Sequence, residues 1–206
     1  MILNISVFAL PFIGLDEQSL FEFGALNGFL VVIYEELWRL LTSMFLHSGA
    51  MHIVMNMLSL YIVGRLVERL FSAVSYLGIY FISGIVGSLI SVYFHPMGWG
   101  VGASGAIFGI FGALTGFVLV HRKRMQDEFI EFIRGFGMVL VLNLGIGLIF
   151  PSIDLSAHIG GLVAGAIGGA LVAYNPKYIG LYAVIAGVAV ALFYNYLPSL
   201  YVTQSF

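Results

Sequence analysis

Apolar residues in this chain fall into long unbroken runs, and the polar residues between them gather into short breaks. A membrane-crossing helix needs ~20 mostly apolar residues, and seven runs approach that length. The first, Ile2 to about Leu15, is short for a full crossing. A polar, acidic stretch follows, holding Asp16, Glu17, Glu22, Glu35 and Glu36 and ending near Trp38 and Arg39. The second run spans about Gly49 to Leu70 and the third about Ala73 to Phe94. Pro96 and Gly98 mark a turn into the fourth, Gly102 to His121. A charged break from Arg122 to Glu131 precedes the fifth, about Phe132 to Phe150, which Pro151 ends. The sixth covers Ser156 to Tyr174, and Asn175-Pro176-Lys177 turns the chain into the seventh, Tyr178 to Leu197. The pattern predicts an all-α polytopic membrane protein forming one domain over residues 1–206, with no long linker.

Within the runs, glycine has a helical period. Gly105, Gly109, Gly112 and Gly116 fall on one narrow strip of the fourth helix, beside Ser104. Gly161, Gly165 and Gly169 form a second strip on the sixth, below His158. Smooth strips of this kind let two membrane helices approach closely.

Charge sets the orientation. Arg65 and Arg69 close the second run, Arg122, Lys123, Arg124 and Arg134 surround the break after the fourth, and Lys177 follows the sixth. Of the 8 basic residues, only Arg39 lies elsewhere. The excess of Lys and Arg in cytoplasmic loops makes these connections cytoplasmic. The loop of residues 15–47 is then outside, and the second, fourth and sixth helices all run inward.

Composition narrows the function classes. The chain is 61% hydrophobic and 9% charged, against ~25% charged in soluble domains. It has no cysteine, which excludes disulfides and thiolate metal sites. It lacks the basic patch that nucleic acid requires. No histidine–carboxylate cluster has metal-ligand spacing, and no cofactor is expected. The compact length and the absence of a cleavable leader suggest a bacterial cytoplasmic membrane.

His52, Asn56, Ser104 and His158 each lie in the first turn or two of an inward-running helix. They therefore share one depth, about 5–10 Å below the outer surface at 1.5 Å rise per residue. If the two glycine strips meet, His158 comes within reach of Ser104, which is the relation a serine nucleophile has to its base. Imidazole suits proton transfer near neutral pH. The oxyanion formed on attack needs fixed donors. The Ser104 backbone N–H, free at a helix N-terminus, supplies one, and His52 with Asn56, four apart on one helix face, can supply others.

These residues carry a specific resemblance. Gly102-Ala103-Ser104-Gly105, with His52-xxx-Asn56 upstream and Ala157-His158-Ile159-Gly160-Gly161 downstream, resembles the rhomboid family of intramembrane serine proteases. The likeness extends to Trp38-Arg39 in the outer loop, His47 before the second helix and Gly161-xxx-Gly165, over roughly residues 24–175. It implies a six-helix bundle, a Ser104–His158 dyad, and an oxyanion hole from Ser104, His52 and Asn56. It also implies cleavage of transmembrane substrates at the outer face, with lateral access near the fifth helix beneath a mobile cap. Where the family often has tyrosine four residues after the serine, this chain has Phe108, which can stack on His158 without donating a hydrogen bond. The seventh helix, about residues 178–197, is an addition found in some members.

Plainer roles compete at several positions. Asp154, four before His158, is placed as a third triad member would be, but Asp154 or Ser156 is expected instead to cap the sixth helix. His47 is expected to be a structural hydrogen-bonding residue, and Trp38 with Arg39 to anchor the outer loop at the interface. A transporter would need ionisable groups spread through the membrane depth, whereas these histidines share one level. A non-catalytic helix-binding relative is the remaining alternative.

Overall fold

A computed structural model describes residues 1–150 and 153–203 of the chain; Pro151, expected to end the fifth run, lies outside them. The described residues form helices joined by short turns, plus one two-residue antiparallel pair. Helix α1 (Ile2–Ala9) continues into a 3-10 turn to Ile13. The loop of residues 15–47, expected only as a polar stretch, folds into α2 (Glu17–Gly24), β1 (Leu26–Asn27), α3 (Gly28–Ile33) and α4 (Arg39–Thr42). Then come α5 (Ala50–Glu68), α6 (Ala73–Phe94), β2 (Trp99–Gly100), α7 (Ser104–Ile149), α8 (Leu155–Tyr174) and α9 (Ile179–Thr203). Side-chain acceptors start several of them. Asp16 caps α2, Asn27 caps α3, Ser72 caps α6 and Asp154 caps α8, each taking an N–H of the first turn.

Five helical segments are long and apolar enough to cross a membrane: Ala50–Glu68, Ala73–Phe94, Ser104–Met125, Leu155–Tyr174 and Pro176–Tyr201. The shorter apolar helices Ile2–Ile13 and Arg134–Ile149 complete the seven expected runs. Two boundaries differ from expectation. The segment Arg122–Glu131 is itself helical in local conformation, and the residues between Phe117 and Arg134 include neither glycine nor proline. The chain nevertheless reverses there. The rings of Phe111 and Phe136 lie 5.2 Å apart, whereas 25 residues of straight helix would separate them by about 37 Å. At the other boundary, α9 runs through Pro198 to Thr203 and does not stop at Leu197. Proline is tolerated in membrane helices where neighbours compensate the lost bond.

The packing of α7 on α8 defines the centre. A Cβ at Gly161 would run into the Gly105 carbonyl, and one at Gly165 into the Gly109 carbonyl; Gly112 and Gly116 meet Leu162 and Ala166 in the same way. Contacts advance together along both helices, so α7 and α8 run parallel, as the charge pattern required. Helix α6 packs antiparallel to α8: His95 just past its end meets Asp154 at the start of α8, and Gly87, two turns earlier, meets Ala157 and Gly161 further along. One apolar core joins α5, α6 and α7 around Ile79, Ile110 and Val67. A second joins the outer loop to α6 and α9 through Leu26, Val31, Leu40, Leu89 and Leu197. Leucine, valine and isoleucine line the outward faces, including Val54, Leu58 and Ile62 on α5 and Val184, Val188 and Leu192 on α9. Exposed apolar surface of this extent marks an integral membrane protein.

Candidate active site

The chain enters α7 through a turn that only glycine can make. Gly102 has φ +125°, its N–H donates to the Ser43 carbonyl at 2.9 Å, and a Cβ there would sit 2.7 Å from His52 Nε2 and 3.9 Å from Ser104 Oγ. The turn thus presses the His52 ring against the backbone that leads into Ser104. Ser104 is the first residue of α7, so its N–H belongs to the set that no intrahelical carbonyl satisfies. The serine is half-buried.

His158 lies in the first turn of α8 and is 6% exposed. Its ring stacks on Phe108 with centroids 4.2 Å apart and planes 13° from parallel. Phe108 is one turn along from Ser104 on the face that Gly105 opens to Ala157 and Gly161. The glycine contacts therefore bring the helix turn bearing the hydroxyl against the turn bearing the imidazole. Among the described residues no hydrogen bond joins Ser104 to His158, and His158 Nδ1 is buried without a partner. Such bonds are often loose before substrate binds.

His52 is oriented from its own helix end. Ser48 Oγ lies 3.1 Å from Nδ1, and the Ser48 N–H points at the same atom from 3.5 Å. A ring that accepts at Nδ1 carries its proton on Nε2, the atom beside Gly102. Asn56 is buried, and its Nδ2 donates to the His52 carbonyl at 2.9 Å, leaving one amide hydrogen unassigned.

His47 departs from expectation. It is buried and packs edge-on against His52, with ring centroids 5.1 Å apart, and neither ring nitrogen makes a hydrogen bond. Burial, reinforced by the neighbouring His52, pushes its pKa down to about 4. Arg39 is also more enclosed than expected: it is 4% exposed, donating from Nη1 to the Ala25 carbonyl at 2.8 Å and from Nε to Glu36. It anchors the outer loop from inside the protein. Trp38 stays exposed, stacks on Phe23 and donates from Nε1 to the Phe23 carbonyl at 3.1 Å.

Asp154 caps α8, accepting from the Ala157 N–H at 3.0 Å and from the Ser156 hydroxyl. It does not reach His158 Nδ1. Burial opposes its ionisation, but the Ser156 and Ser91 hydroxyls, the Ala157 N–H and the nearby His95 hold its carboxyl below the usual range. Ser91 and His95 on α6 were not legible as neighbours, since some 60 residues separate them from Asp154. Ser48 could have been found, lying one turn before His52.

Comparison with known proteins adds an independent line. A family model described as Rhomboid domain matches residues 34–175. RHOMBOID-like protein 1 of Arabidopsis thaliana is 36% identical over 168 residues, covering 82% of this chain and 43% of that protein. Rhomboid protease GluP of Bacillus subtilis is 41% identical over 154 residues, covering 73% of this chain and 29% of its own. Inactive RHOMBOID-like protein 8 of Arabidopsis thaliana is 33% identical over 154 residues, 75% of this chain and 43% of the relative. The chain spans less than half the length of each of these three.

Proposed function

The chain belongs to the rhomboid family, and from that membership we propose that it is an intramembrane serine endopeptidase cutting transmembrane substrates near the outer face of the membrane. Ser104 Oγ attacks the scissile carbonyl while His158 takes its proton. The tetrahedral oxyanion is met by the Ser104 N–H, by His52 Nε2–H and by Asn56, whose remaining amide hydrogen must turn toward it. Collapse breaks the C–N bond, and His158 returns the proton to the leaving amine. Water then attacks the acyl-enzyme with His158 again as base, releasing the acid and restoring the serine.

The observation that carries this reading is the parallel, glycine-to-glycine contact of α7 with α8, which sets the Phe108-stacked imidazole beside the turn that begins at Ser104. A dyad fits better than a triad, because the carboxylate on hand caps the helix. The placement of seven basic residues at one end of the bundle supports an outward-facing site open to water.

A second reading has one finding in its favour: a relative at 33% identity is named inactive. On that reading the bundle holds membrane helices without cutting them. One experiment separates the two. The chain is reconstituted in liposomes with a single-span substrate and treated with a fluorophosphonate probe. Cleavage and labelling are expected from the intact chain and should both disappear in Ser104→Ala, since loss of the nucleophile removes on the order of 10⁶ in rate. Substrate retention without cleavage by the intact chain would favour the helix-binding reading.

A further inference from the structure

We propose that Asp154 is a positioning residue for His158, fastened from α6 across the helix boundary; this rests on His158 serving as the general base. Three observations converge on it.

First, the imidazole has little of its own to orient it. Its Nδ1 is buried and makes no hydrogen bond, so the ring is held by stacking on Phe108 and by the helical turn that carries it. Second, that turn is weak in itself. It reads Leu155-Ser156-Ala157-His158 and, after Ile159, leads into Gly160-Gly161, and each glycine costs a helix about 1 kcal/mol relative to alanine. Third, Asp154 stiffens the turn from both of its oxygen-bearing groups. The backbone carbonyl accepts the His158 N–H at 3.2 Å. The carboxylate accepts the Ala157 N–H and the Ser156 hydroxyl.

What lifts this above an ordinary cap is the other helix. The carboxylate also faces α6, where His95 Nε2 stands 3.8 Å from Oδ1 and Ser91 is among the groups that favour its ionised form. At the same level a Cβ on Gly87 of α6 would lie 2.7 Å from the Ala157 carbonyl, so no side chain separates the two backbones there. Asp154 therefore ties the base-bearing turn to α6 while the glycine strip ties it to α7. Loss of the side-chain acceptor at residue 154 releases one of those two restraints.

The test compares Asp154→Ala with Asp154→Asn in the reconstituted full chain, by cleavage kinetics and by hydrogen–deuterium exchange over residues 155–160. Asparagine caps about as well as aspartate. Asp154→Ala is expected to lower kcat about tenfold, the worth of one lost cap, with KM unchanged within about twofold and faster exchange at Ala157 and His158. Asp154→Asn is expected to restore kcat and exchange to within about threefold of the parent. An alanine variant with parental kcat overturns the proposal, as does equal damage from both substitutions. If Asp154→Ala does not fold, Asp154→Ser and the exposed His95→Ala carry the same measurements: Asp154→Ser should behave as the asparagine variant and His95→Ala should lower kcat with KM constant. Parental kcat in His95→Ala overturns it, as does a kcat in Asp154→Ser about tenfold or more below the parent. Exchange needs no turnover, so a Ser104→Ala chain that still cleaves would reject the catalytic reading without touching the exchange result.

Discussion

At the scale of single residues, the site depends on where each imidazole finds its second partner. His52 has Ser48 at Nδ1 and turns Nε2 toward Gly102. His158 has an aromatic ring below it and no partner at Nδ1. His47 is buried against His52, and the consequence is a pH dependence. Its pKa of about 4 in the folded chain lies below the ~6.5 of a free imidazole. The unfolded chain therefore binds a proton that the folded chain refuses. The associated stability is fully present above pH ~6.5 and is lost as pH falls toward 4, by an amount on the order of 3 kcal/mol. Thermal unfolding in detergent should show the midpoint dropping over that window, and His47→Phe, which keeps an aromatic ring and removes the titration, should flatten much of the drop. An identical slope in the variant would assign the effect to other groups.

At the scale of elements, the contact of α7 with α8 is made of backbone. Gly161 and Gly165 meet the carbonyls of Gly105 and Gly109 with no room for a methyl group. Gly165→Val is expected to push the helices apart, destabilising the bundle by about 1–3 kcal/mol or more and suppressing cleavage even though no functional group changes. Gly187→Ala on α9 makes a matched control, because nothing lies within 4 Å of its Cβ position. It should leave both the unfolding midpoint and the cleavage rate near parental values. Helix α9 is no loose addition. Tyr182 donates to the Ala164 carbonyl at 3.1 Å, Tyr194 to that of Val31 at 3.2 Å and Tyr201 to that of Val92 at 3.0 Å. It braces α8 at one end and the outer loop at the other.

At the scale of the molecule, the orientation in the bilayer expected from charge can be tested directly. The chain has no cysteine, so single cysteines report on one position each. Gln18 and Lys177 are both exposed. In sealed cells, a membrane-impermeant maleimide should label Gln18→Cys from outside, and Lys177→Cys only after the membrane is opened. The reverse pattern would put the Ser104 end of α7 on the cytoplasmic side and remove the outward-facing site.

The sequence by itself determined the number of apolar helices, because hydrocarbon imposes a length and an unbroken apolar character that few other contexts demand. It also determined the glycine strips and hence which helices touch, since a period of 3.6 places those glycines on one face wherever the helix sits. Only the tertiary structure decided what depends on distant approach. The His95 and Ser91 ties to Asp154, the edge contact of His47 with His52, the burial of Arg39 and the docking of α9 on the outer loop all join residues with no local pattern between them. The reversal inside α7 belongs with these, because the residues there form helix readily and only the approach of Phe136 to Phe111 reveals it. A periodic signal marks the face a residue presents, whereas its partner on that face is chosen by the packing of the whole bundle.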